Sequence, residues 1–146
     1  MKAILIALLT LAVGFSQAQA EDHHHHHSSH GSETGKSVNP GKKFKPTEDL
    51  KVRMEKILNL TKELKDKKDD SKAVKKYGTE ITATINDIFK TCKLEPEADA
   101  AIHPSLGLML QGSKELEKGK YKAGYDKVHK ALLDYERLFE HEGWKH

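Results

Sequence analysis

Residues 74–92 read VKKYGTEITATINDIFKTC, and the spacing within this stretch decides the fold. Val74, Tyr77, Ile81, Ile85, Ile88 and Cys92 recur at steps of three and four, the interval that returns to one face of an α-helix, and Phe89 flanks the stripe. Pro96 ends the pattern, which puts Cys92 on the core-facing side at the close of this helix.

The same periodicity extends in both directions. Upstream, Thr47 is a candidate N-cap ahead of acidic Glu48 and Asp49. Leu50, Met54, Ile57, Thr61 and Leu64 then form one face of a helix that runs to about Asp66, and the polar run from Asp66 to Ser71 is the turn. Downstream, a third helix starts near Glu97, or restarts at His103-Pro104, and runs through Ile102, Leu106, Met109 and Leu110 to Leu116, weakened by Gly107 and Gly112. Lys118-Gly119 makes a tight connection. Tyr121, Tyr125, Val128, Leu132, Tyr135 and Phe139 form the fourth stripe, with Gly143 as a natural helix stop. Strand signals are absent. Four one-sided stripes joined by short connections predict an all-α, up-down-up-down four-helix bundle over residues 46–146.

The chain before the bundle has two parts. Lys2, the apolar stretch from Ala3 to Phe15 and the small-x-small end Ala18-Gln19-Ala20 read as a secretory signal peptide over residues 1–20, cleaved before Glu21. Residues 21–45 hold His23, His24, His25, His26, His27 and His30 among Ser, Gly and Pro, a composition too poor in apolar groups to fold, and are expected to be a disordered arm. The product is expected to be exported, periplasmic or extracellular, and soluble, with no stable membrane insertion, because the apolar stretch is shorter than a span requires. The 25 basic and 22 acidic residues nearly balance, so no nucleic-acid partner is expected.

Three groups of residues bear on chemistry. Cleavage after Ala20 would expose Glu21-Asp22-His23, whose amine, amide nitrogens and imidazole suit square-planar Cu(II) or Ni(II). The six arm imidazoles bind Cu(II), Ni(II) or Zn(II) when deprotonated. The alternative reading of the run is an expression tag, against which stand five histidines rather than six, the following Ser28-Ser29-His30 and the position straight after the signal peptide; the sequence leaves both readings open. The second group is Met54, Cys92, His103 and His141, which alternating helix directions bring to one end of the bundle. Thioether, thiolate and imidazoles favour copper, and thiolate with imidazole also suits zinc. Each has a structural reading too: Met54 as core filler, Cys92 as an inert buried thiol, His103 as a helix-start residue and His141 as a complement to a helix C-terminus. His141 lies off the Tyr135/Phe139 stripe, so it reaches inward only if helix four loosens before Gly143. The third group, single features elsewhere, reads as structural. His129 flanks the core stripe, Asn59-Leu60-Thr61 matches a glycosylation sequon inside a helix, and the lysine-rich runs read as solvated faces.

Asp49-Leu50-x-x-x-Met54-Glu55 together with Arg137-x-x-x-His141 resembles the small soluble periplasmic b-type cytochromes, four-helix bundles that carry haem between a methionine and a histidine. The resemblance implies haem b, with Met54 and His141 as axial ligands and electron transfer to a redox partner protein as the role. The residues themselves favour a protein that buffers or delivers copper, nickel or zinc, possessing a metal-transfer partner. A non-catalytic helical interaction module is the third reading. No nucleophile elbow, phosphate-binding glycine loop or paired-carboxylate signature occurs, so no catalytic residues are assigned.

Overall fold

The computed structural model describes residues 42–145. The expected signal peptide over residues 1–20 and the six arm histidines, His23 to His27 and His30, lie outside the described residues. Four helices follow one another, α1 (Glu48–Lys65), α2 (Ser71–Thr91), α3 (Pro96–Glu117) and α4 (Tyr121–Leu138). Thr47 caps α1 by accepting from the Leu50 amide, and the Asp70 carboxylate caps α2 through the Lys72 and Ala73 amides. Pro96 opens α3 at the position where a missing N–H costs nothing. Gly119, at φ +79°, turns the chain from α3 into α4 in a conformation that side chains with a Cβ rarely adopt.

Helix direction alternates, as side-chain contacts across the pairs show. The Tyr77 hydroxyl, early in α2, donates to Glu63 late in α1 at 3.0 Å, while Thr91 at the end of α2 reaches Asp49 at the start of α1. Thr82 in α2 bonds Ser113 and Glu117 near the end of α3. Gly112 and Gly124 mark the α3/α4 crossing, where a Cβ on Gly112 would stand 2.8 Å from the Gly124 carbonyl. Gly112, expected to weaken its helix, instead lets two backbones meet closely.

The core is filled by the expected stripes: Leu50, Met54, Ile57 and Leu64; Val74, Ile81, Ile85 and Ile88; Ile102, Leu106, Met109 and Leu116; Val128, Leu132, Tyr135 and Phe139. Most helical stability in a protein comes from packing an amphipathic face, so burying these faces holds the fold, at about 1.5–3 kcal/mol per large side chain. Pro104 does not restart α3. The helix passes through it, and the Ala100 carbonyl that loses its partner belongs to an exposed residue.

Two boundaries differ from expectation. The folded unit begins before residue 46: Phe44 is buried, its amide donates to Leu138 O and its carbonyl accepts from the Glu140 amide, a short parallel bridge with Phe139. And α4 ends at Leu138, well before Gly143, because Phe139 turns extended to pair with Phe44. The segment after α4 then lies against α1, which otherwise packs mainly on α2.

Candidate functional site

The early end of α4 positions His141. Had α4 continued, His141 would have left the core stripe; with Phe139 at φ −122°, ψ 142°, the chain swings inward two residues later. Gly143 at φ +78° and a Trp144 amide to His141 carbonyl bond of 3.1 Å fold the tail back on itself. The His141 side chain is 2% exposed. Its Nδ1 lies 2.9 Å from the Tyr135 hydroxyl and its Nε2 3.1 Å from Glu55 Oε1 on α1. With a neutral ring, one arrangement of protons satisfies both contacts: the phenol donates to Nδ1, and Nε2–H donates to the carboxylate.

Burial, and after it the charge of Glu55, push the Tyr135 phenol well above its ordinary range, so it remains a donor at neutral pH. Trp144 packs on both rings, with centroids 4.8 Å from Tyr135 and 5.0 Å from His141. Beside this nest a shallow cavity of about 420 Å³ is lined by His141 and Trp144 themselves together with Lys43, Glu136, Phe139, Glu140 and Glu142. Carboxylate, imidazole and phenol form a relay in outline, but the phenol is fully buried and its proton is held tightly. The geometry pins the tail to α1 and α4.

Cys92 is the C-cap of α2, half-buried and packed against the core at the end of the stripe. Its thiol donates to Asp49 Oδ2 at 2.9 Å. Burial, then the hydrogen bond to Asp49 and its charge, push the thiol up to about 12, while bonds from Cys92, Arg53 and Thr91 hold the Asp49 carboxyl below its usual range. A thiol so held is a poor nucleophile and a poor source of the thiolate that metals bind.

Met54 is fully buried in the core. His103 is exposed, stacked on Phe89 at 5.8 Å with Nδ1 3.6 Å from Asp99. The four expected ligands thus occupy one end of the bundle, each with separate neighbours, and among the described residues no group of three or more His, Cys, Asp or Glu side chains is placed to hold a metal ion. Ligation of haem iron by His141 would require Nε2 to leave Glu55 or Nδ1 to leave Tyr135. His129, expected beside the core, is half-buried and stacked on Tyr125 at 5.6 Å.

The residues that organise the site were not singled out in the sequence. Glu55 and Tyr135 appear there only as part of the cytochrome-like motif and of the fourth stripe, Asp49 only in that motif and as a first-turn acid, and Trp144 not at all. No sequence signal pairs Glu55, Tyr135 and Trp144 with His141 or Asp49 with Cys92. The one available signal was the phase slip between Phe139 and His141. Comparison of the chain with protein-family models, with curated proteins and with solved structures finds no match, so the functional reading rests on the chain's own residues.

Proposed function

We propose that this chain is an exported, non-catalytic protein that binds Cu(II), Ni(II) or Zn(II) through its histidine arm, with the bundle as the folded carrier. The observation that carries the reading is the density of ligands: His23 to His27 and His30 supply six imidazoles within eight residues. Contiguous imidazoles bind these ions without a fold to arrange them. The bundle supports this division of labour. Cys92 is committed to Asp49, His141 to Tyr135 and Glu55, and Met54 to the core, so the reading rests on the arm's imidazoles rather than on these three. Buffering or delivery to a metal-accepting partner are roles such an arm serves.

The test is metal analysis and an absorption spectrum of untagged protein purified from the exported fraction without metal-affinity chromatography. Copper, nickel or zinc near or above one equivalent, with no intense near-ultraviolet haem band, is expected. A haem band would replace this reading with the cytochrome-like one, and protein free of both would overturn it.

A further inference from the structure

The end of the bundle away from His141 carries the charge. Residues 62–76 and 114–126 contain 11 lysines and 7 carboxylates, a net +4, whereas the remaining described residues hold 12 basic and 12 acidic side chains. The two stretches are neighbours in space. A Cβ on Gly119, in the α3–α4 turn, would stand 3.1 Å from Ser71 Oγ and 3.3 Å from Lys75 Cε at the start of α2.

The lysines of this end differ in how they are held. Lys114, Lys118, Lys120 and Lys122 pair with Glu117, Glu115 and Asp126. Lys65, Lys67, Lys68, Lys72 and Lys75, in and beside the α1–α2 turn, are exposed and make no side-chain ion pair with another described residue. The large apolar side chains exposed among the described residues, Val52 and Phe89, sit toward the other end.

We infer that this lysine cap is a docking surface for an anionic phospholipid bilayer. Two adjacent helix turns make a blunt end, which meets a flat surface better than it enters a groove. Lysine is a compact, strongly hydrated point charge without arginine's planar fork, and it suits diffuse headgroup charge. Without exposed large apolar groups at this end, the contact is electrostatic adhesion, consistent with the absence of a described helix long and apolar enough to cross a membrane. The inference is independent of the metal reading, since it uses none of the arm's ligands.

The experiment is co-sedimentation of the full chain with vesicles of phosphatidylcholine alone or with a third of phosphatidylglycerol, at pH 8. Salt is set at 10 and 150 mM, where the screening length falls from about 30 to about 8 Å. Wild type is expected to sediment with the anionic vesicles at low salt, and at least tenfold more weakly at high salt. Replacing Lys65, Lys67, Lys68, Lys72 and Lys75 by Gln should weaken the low-salt binding at least tenfold, with an unchanged far-ultraviolet circular dichroism spectrum. The control quadruple K45Q/K56Q/K90Q/K93Q should retain most of it. Equal sedimentation of the cap variant and wild type, equal loss in the control, or equal binding to neutral vesicles would overturn the inference. Retention on immobilised heparin at 150 mM salt without binding to anionic vesicles would assign the cap to a soluble polyanion instead.

Discussion

Replacing His141 by Ala removes the side chain that ties three elements together, and the cost follows from its partners. The Tyr135 hydroxyl, fully buried, loses its acceptor at 2.9 Å, and a stranded buried donor costs about 1–3 kcal/mol. Contacts of the imidazole with the Tyr135 and Trp144 rings are lost as well, leaving a void that the surroundings fill only partly. Together these predict a loss of about 2–4 kcal/mol, which for a folded unit of roughly 100 residues lowers the thermal midpoint by roughly 10–25 °C. The Glu55 contact adds little, because that carboxylate is 57% exposed. Urea unfolding followed by fluorescence of the single tryptophan, Trp144, and by circular dichroism measures the change locally and globally. Tyr135→Phe should cost about 1 kcal/mol, and the double variant should fall short of the sum by about 1 kcal/mol, since each single change strands the other's partner. Additivity within about 0.5 kcal/mol, or a His141→Ala cost below about 1 kcal/mol, would refute the account of a pinned tail.

Three further outcomes follow from particular contacts. A Cβ on Gly124 would meet Leu116 Cγ at 2.5 Å and the Gly112 carbonyl at 2.7 Å, whereas one on Gly107 meets nothing within 4 Å. Thermal melts should therefore show Gly124→Ala destabilised by about 2 kcal/mol or more and Gly107→Ala stabilised by about 0.5–1 kcal/mol. Thiol labelling at pH 8 should be slow in native protein and fast in urea, with Asp49→Asn accelerating the native rate. The folded thiol is raised from 9.0 to about 12, so its contribution to stability is present below pH 9 and lost as pH climbs toward 12. The Glu115 carboxyl, held down from 4.5 to about 2 by hydrogen bonds from Lys118 and then Lys120, contributes stability above pH 4.5 that is lost as pH falls toward 2. Glu115→Gln should flatten the pH dependence of the urea midpoint in that window, and an unchanged slope would remove this ion pair from acid unfolding.

The helices were legible because each signal lies within one element. Ile81, Ile85 and Ile88 report their common face by interval alone, Thr47 and Gly119 act on the few residues around them, and alternation follows from short turns. What was not legible depends on pairing between distant segments. Phe44 and Phe139 are 95 residues apart, and their bridge fixes both where the folded unit begins and where α4 stops. Cys92 has the phase of a core residue but falls on the last turn, where the chain is already extended and Asp49 from α1 is in reach. The bundle-end convergence of Met54, Cys92, His103 and His141 followed from topology, whereas the contacts each one makes depend on side-chain directions that topology leaves open. Glu55 became a partner of His141 only because the tail folds back.

The central claim is that metal binding belongs to the arm. Calorimetric titration of Cu(II) at pH 7.5 into the chain beginning at Glu21, and into the same chain with His23, His24, His25, His26, His27 and His30 replaced by Ser, tests it most directly. The account predicts that the substituted chain loses at least one tight site and that Cys92→Ser with His103→Ala in the unsubstituted chain loses none. Equal stoichiometry and affinity with and without the arm histidines would contradict it.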